Sequence, residues 1–555
     1  MRVFRILLSC CLLLLVWCAS AVAQTDAKKP ASEEELTGLQ IVDWIIISIY
    51  AASTLVLGWY YGRQQKSTKE YFVGSGNMNS FFIGVSLFAT LLSTISYLSY
   101  PGEAFGKGPG ILAVYLAAPI SYLVVAYVLL PIYMKQRVTS AYELLEAKLG
   151  ISVRLLGAVL FIVLRLVWMS LLMYAAANAL SVMMGIPEAD RGRWIPFIVL
   201  ISGFVAVTYS CLGGLRAVVV TDFMQTVLLY GGALMVIITV TIAMKGFGWF
   251  PTTWHKNWDV QPLYSFNPAV RVTFLGSFIS FLVWMISTAG GDQTVIQRFM
   301  ATTDKSAARR AYAVQLTCSV VVGVTLALVG YSLLGFADSQ GVQGDWFEKK
   351  ADDIFPYYVS HFLPVGVSGL VAAAMFAAAM SSVDSGVNSI TAVFMTDFLD
   401  RFNFRPESER WHVFISKVLA FVIGGVVVFG SSFVGMVPGN ITAVTNKTVN
   451  LLPPIIFSLF FFALFVPFSR PIGVWCGFIC SFTVAVLAAF SGPIVTYLAL
   501  NHGVDPTTFG VEIHPETRMA PDPISFQWVG TIGLIVNLSV GTTVSWFVSR
   551  VSKAK

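Results

Sequence analysis

Apolar blocks of about twenty residues, cut by short polar or basic connections, recur along the chain from residue 41 to residue 549. A helix rises 1.5 Å per residue, so a block of that length matches the ~30 Å hydrocarbon core of a bilayer. The pattern predicts thirteen spanning helices, roughly at 41–62, 79–105, 110–134, 151–184, 194–211, 217–244, 272–296, 309–335, 363–397, 412–434, 441–466, 472–498 and 526–549. The largest connections, 245–271, 336–362 and 499–525, each hold Pro, Gly or acidic residues, and none is long enough for a soluble domain.

Two predicted spans are interrupted. The second contains "LLSTISYLSYPGEAFGKG", with Ser, Thr, Pro and Gly at mid-membrane depth, and the seventh contains "WMISTAGGDQTVIQRF", with paired glycines ahead of Asp292. Broken helices at corresponding places in two halves point to a binding site in secondary transporters. Counted from residue 79, two sets of five spans follow (79–244 and 272–466), each opening with an interrupted helix. Five is odd, so the two sets have opposite orientation in the membrane.

Composition narrows the class. Hydrophobic residues make up 56% and charged residues 12% of the 555, about half the charge of a soluble domain. An all-α polytopic membrane protein is expected, with the lipid bilayer as its surroundings. The formal net charge of +6 then bears on orientation rather than on nucleic acid. With the mature N-terminus outside, Arg63, Lys66, Lys69, Lys135, Arg137, Lys148, Arg298, Lys305, Arg309, Arg310, Arg401, Arg405 and Arg410 fall on the inside, together with a tail at 550–555. This is the positive-inside bias. Ahead of the spans, Arg2 and Arg5 precede "ILLSCCLLLLVWCAS", and "AVA" precedes Gln24. Residues 1–23 read as a signal peptide, with a first membrane helix as the alternative, and 24–40 as an extracytoplasmic segment before a transporter domain at 41–549. The seven cysteines show neither a disulfide framework nor metal-ligand spacing.

The densest polar stretch inside an apolar span is "AAAMSSVDSGVNS", Ala377 to Ser389. An ionised Asp at bilayer depth costs ~2.5–3.5 kcal/mol even on insertion scales, so Asp384 and the hydroxyls around it need partners. On one long helix Ser381, Ser385 and Asn388 share a face, with Ser382 and Ser389 beside it. Hydroxyls and freed carbonyls suit a hard cation without burying several negative charges. The competing reading is that the serines bond back to their own helix.

Three blocks together resemble the sodium/solute symporter family, which includes sodium-coupled glucose, proline, iodide, vitamin and sialic acid carriers: "YSCLGGLRAVVVTDFMQ" from Tyr209, "GGDQTVIQRFMATTDKSAARRA" from Gly290, and the serine-rich stretch continued as "SITAVFMTDF". The similarity runs over essentially all of 41–549. It implies a leucine-transporter-type 5+5 inverted-repeat bundle and a Na⁺-coupled symporter importing a small polar organic solute or anion across the cytoplasmic membrane by alternating access. The implied main Na⁺ site comprises the carbonyls of Ala89, Leu92 and Ala378 with the hydroxyls of Ser381 and Ser382. A second Na⁺ or an exit path is implied at Asp222, Asp384 and Ser385, the alternative being helix-packing contacts. The implied solute site comprises Ser93, Ser96, Tyr97, Tyr115, Trp168, Trp284, Met285 and Thr288.

No branch of the family is singled out. Tyr115 and about Ser319 stand where glucose carriers have Glu and Lys, Leu91 where proline carriers have Asp, and Trp168 where sialic acid carriers have Arg. Pro101 and Glu103 are shared with the iodide, vitamin and monocarboxylate branch. No Walker motif, H-E-x-x-H pair or G-x-S-x-G elbow occurs, so ATP drive and membrane-enzyme chemistry have no support. A sensor that keeps a transporter fold is the alternative function.

Overall fold

The computed structural model describes residues 38–63, 65, 67–136, 138–340, 351–435, 441–515 and 518–554. The expected signal peptide at 1–23 and most of 24–40 lie outside the described residues. The principal helices are α1 (Ile41–Gly62), α2 (Ser80–Leu91), α3 (Thr94–Gly106), α4 (Glu143–Met183), α5 (Glu188–Ala243), α6 (Phe274–Gly291), α7 (Gln293–Met300), α8 (Lys305–Ser339), α9 (Val367–Val393), α10 (Glu409–Val434), α11 (Ile441–Phe465), α12 (Pro471–Ala489) and α13 (Phe526–Ala554). Between α3 and α4 the Pro109–Gln136 segment passes through 3₁₀, α and π turns.

Ten of these segments are long and apolar enough to cross a membrane, and the pair α2 and α3, bent by 69°, makes an eleventh. The helix α5 is two rods joined at Gly214, whose φ of 58° and ψ of −172° are non-helical. With α11 added, the thirteen predicted spans each find a counterpart. Gly214 belongs to the glycine pair of the resembled signature, and its positive φ explains the residue. A Cβ there would also lie 2.9 Å from the Tyr71 carbonyl oxygen. Only glycine meets both demands without strain.

Both predicted breaks are present. Leu92 leaves α2 at φ −76°, ψ 113°, and Asp292 leaves α6 at φ −90°, ψ 118°. Each second half restarts with its own cap: Ser93 Oγ accepts from Ser96 N at 3.0 Å, and Asp292 Oδ1 accepts from Thr294 N at 2.8 Å. A short polar residue after an unwound turn thus supplies the cap that a new helix needs.

The serine-rich stretch lies on α9, which packs against α1, α4 and α5 and is buried along nearly its whole length. Small residues allow that depth; a Cβ on Gly386 would come 2.3 Å from Met169 Sδ. At its N-terminus the buried Asp43 of α1 accepts from Gly366 N (2.7 Å), Ser368 Oγ (2.8 Å) and Gly369 N (2.8 Å). A carboxylate is favoured there by the unpaired N–H groups and the helix dipole.

Candidate functional site

Breaking a helix frees the carbonyls of its last turn, and the two breaks use theirs differently. At the end of α2, Ala89 O accepts from Ser381 Oγ at 2.9 Å and Thr90 O accepts from Ser382 Oγ at 3.4 Å. Ser381 Oγ also lies 3.1 Å from Ala378 O on its own helix. At the end of α6, Gly290 O accepts from Tyr133 Oη, and Gly291 O accepts from Tyr142 Oη at 3.2 Å. Both tyrosines are fully buried and fixed in the core. The second break is therefore closed by rigid phenols, whereas the first faces hydroxyls that turn about one bond.

Ala89, Ala378, Ser381 and Ser382 thus come together as sequence reasoning expects, with Leu92 at the break itself; all five are buried. The back-bonding alternative holds only in part, because Ser381 bonds across to α2 as well as to its own helix. The set is neutral oxygen, which fits a hard alkali cation. Among the described residues no three His, Cys, Asp or Glu side chains gather as metal ligands.

One turn along α9 lies a charged cluster. Asp222 Oδ2 accepts from Ser86 Oγ at 2.5 Å and from Arg298 Nη2 at 3.3 Å. Arg298 also donates to Ser86 Oγ (2.8 Å), Thr294 O (3.1 Å) and Ser385 Oγ (2.5 Å). Asp384 accepts from Ser385 Oγ at 3.1 Å and from Tyr209 Oη. Asp222, Asp384 and Ser385 are therefore neighbours, gathered around a guanidinium. Arg298, expected in an inside connection, is instead part of a helix. It sits at the end of α7 with none of its surface exposed. A basic residue at a helix end counts as loop charge in sequence, yet two buried carboxylates hold this one inside. Sequence reasoning also missed Arg165 of α4, buried and paired with Asp292 at the second break.

Beside the first break lies a cavity of about 200 Å³, with Ser93, Ser96, Tyr115, Trp168, Trp284 and Met285 in its wall. Phe281 and Trp284 stack there at 5.2 Å. Two expected members lie elsewhere. Tyr97 is turned to the opposite face of α3, where its hydroxyl donates to Leu229 O at 3.0 Å and its ring meets Phe355. Ser93, Ser96 and Tyr100 occupy the cavity face at helical spacing, so the next residue after Ser96 points away. Thr288 lines a smaller pocket of about 40 Å³ with Arg165 and Asp292, beyond the wall formed by Leu91, Trp168 and Trp284. The cavity's polar wall is completed by residues that sequence reasoning did not name, among them Tyr100, Arg271, Ser280, Gln315 and Gln527. Glu103, a branch marker in the sequence, also lines the cavity.

A family model described as the sodium:solute symporter family matches residues 71–479. The sodium/sialic acid symporter SiaT of Proteus mirabilis (strain HI4320) is 28% identical over 82% of this chain and 91% of its own length. The sodium-dependent multivitamin transporter of Oryctolagus cuniculus is 26% identical over 86% of this chain and 74% of its own. A solved structure of a Na⁺-coupled sialic acid symporter in a substrate-bound outward-open state superposes with a TM-score of 0.72 at 24% identity, covering 92% of this chain and 98% of that one. That likeness establishes the shared helix bundle.

Proposed function

The chain belongs to the sodium:solute symporter family, and from that premise we propose which of its residues couple Na⁺ to solute. The main Na⁺ site is formed by the carbonyls of Ala89, Leu92 and Ala378 with the hydroxyls of Ser381 and Ser382. The observation that carries this reading is the contact of Ser381 Oγ with Ala89 O and Ala378 O at 2.9 and 3.1 Å. In that arrangement the hydroxyl proton is spent on carbonyls; rotation about the Cβ–Oγ bond aims a hydroxyl lone pair at a cation and leaves Ala89 O, freed by the break, and Ala378 O to face the same ion. An ion held there joins α2 to α9 and so favours one relative placement of the two. Solute enters the adjoining cavity, and rocking of the bundle exposes both to the other side.

The orientation that follows from the basic residues puts the 245–271 connection, and Arg271 at the cavity, outside the cytoplasmic (inner) membrane, with the N-terminus outside and the C-terminus inside. Import is then downhill for Na⁺, with ~2.3 kcal/mol per charge per 100 mV of membrane potential. Asp222, Asp384 and Ser385 form an ion exit path or a second Na⁺ site in which Arg298 is the resident cation when no ion is bound. The repeats at 79–244 and 272–466 supply the two moving sets. Solutes of the class carried by the relatives, such as sialic acid and vitamins, suit a wall of hydroxyls and aromatic faces.

The experiment is uptake of ²²Na⁺ and of labelled solutes into proteoliposomes. Solute-dependent Na⁺ entry supports carriage. Solute binding without flux would move the assignment to a sensor.

A further inference from the structure

Glu103 and Arg271 meet in the wall of the cavity. Glu103 lies near the end of α3 and Arg271 just ahead of α6, at the far ends of the two broken spans from their breaks. Among the described residues in the cavity wall, Arg271 is the only cation and Glu103 the only anion. The guanidinium grips the carboxylate with two parallel bonds, Nη1 to Oε1 at 3.1 Å and Nη2 to Oε2 at 2.8 Å. Its third nitrogen, Nε, reaches Asp259 Oδ2 at 3.3 Å.

The main chain of Arg271 is pinned from outside the two repeats. Its carbonyl accepts from Ser525 Oγ at 2.8 Å and from the Gln527 side-chain amide. The head remains reachable, with 39% of the side chain exposed against 18% for Glu103. A fixed stem and an accessible planar fork make a receptor for one geometry, the two oxygens of a carboxylate. Glu103 already supplies that geometry from within the protein. The rest of the polar wall offers hydroxyls and amides only, so a charged solute finds full countercharge at one place.

We propose that the transported solute carries a carboxylate, that Arg271 is the residue that receives it, and that Glu103 is a stand-in displaced on solute entry. The assignment rests on the reading of this cavity as the solute site. It gives the two members of one ion pair opposite effects. Removing Arg271 takes away the receptor, whereas neutralising Glu103 takes away a competitor. A pair serving only to latch the cavity shut would lose the same bond in either variant.

The test uses acids beside their uncharged analogues: lactate with lactamide, pantothenate with panthenol, and N-acetylneuraminate with its methyl ester. Uptake is driven by an inward Na⁺ gradient in proteoliposomes containing the full chain. The acid of at least one pair is expected to accumulate well above its analogue. For that acid, Arg271→Gln raises KM by about 10- to 100-fold, the loss of a charge-assisted bidentate contact. Arg271→Lys falls between, because it keeps the charge and loses the fork, and Glu103→Gln lowers KM. Equal increases in KM for Arg271→Gln and Glu103→Gln would overturn the proposal in favour of a latch. Uncharged analogues carried as well as the acids, with Arg271→Gln indifferent, would overturn it while leaving symport intact. Absence of any Na⁺-driven flux in the unaltered protein would instead remove the symport reading and this assignment with it.

Discussion

Neutralising Asp222 isolates the charge cluster beside the candidate ion path. The Asp222 and Arg298 side chains are both wholly buried, with Arg298 Nη2 3.3 Å from Asp222 Oδ2. Asp222→Asn preserves shape but leaves Arg298 with a carboxylate fewer. Its other bonds, to Ser86, Thr294 O and Ser385, keep the donors satisfied, so the loss is one of charge compensation. Stranding one member of a buried pair costs ~3–5 kcal/mol; the nearby Asp384 offsets part of that, which places Asp222→Asn at the lower end. Arg298→Gln strands two carboxylates and falls at the upper end. Asp222→Asn/Arg298→Gln removes both sides and recovers much of the loss, giving a coupling of about 2–3 kcal/mol. Equilibrium unfolding in mixed micelles measures the cycle. Single effects that add to within ~0.5 kcal/mol would refute the claim that these charges hold each other inside the bundle. The same variants address ion flux. A second Na⁺ at Asp222 requires Asp222→Asn to lower the Na⁺-to-solute ratio or slow release, and an unaltered ratio and rate would count against it.

Three further outcomes are expected. Ser381→Ala and Ser382→Ala each remove one neutral oxygen from the proposed Na⁺ site; the half-saturating Na⁺ concentration for uptake rises about 10- to 100-fold with normal membrane insertion, and undiminished Na⁺ activation in both moves the site elsewhere. Asp43→Asn weakens the three bonds that hold the start of α9; it lowers stability by about 1–3 kcal/mol, read as an earlier thermal transition in detergent, and an unchanged transition shows α9 to be anchored by packing alone. Gly214→Ala forces a positive φ on a residue with a Cβ and crowds the Tyr71 carbonyl, costing about 1–3 kcal/mol, whereas Ala at Gly192, where a Cβ meets nothing within 4 Å, serves as the control with little change.

The breaks and the buried serines that meet the first of them are legible because each has a local cause. "LLSTISYLSYPG" cannot remain one rod when Ser93 caps a new helix, and Asp292 does the same work behind the paired glycines. Ser381 and Ser382 were legible because hydroxyls deep in an apolar span need a partner that is not water. Arg298 was not legible, since a basic residue closing a helix has the same local pattern whether it meets headgroups or turns inward. Tyr97 was misplaced because its neighbour Ser96 faces the cavity, and one residue on a helix is a rotation of about 100°. Arg271 carries no local signal in the sequence; the bonds from Ser525 and Gln527 that fix it come from more than 250 residues away.

Hydrophobic blocks, their interruptions and the polar positions inside them come from the sequence alone, because the bilayer imposes a length and forbids unpaired polar groups on every segment separately. That much determined thirteen spans, two broken rods and a hydroxyl-bearing central helix. Which freed carbonyls stay available to an ion was decided only by the assembled bundle, where serines meet the first break and buried tyrosines stop the second. So too were the inward turn of Arg298 and the pairing of Glu103 with Arg271. Electrostatic partners act through space over a few ångströms, and chain order does not say who will stand there.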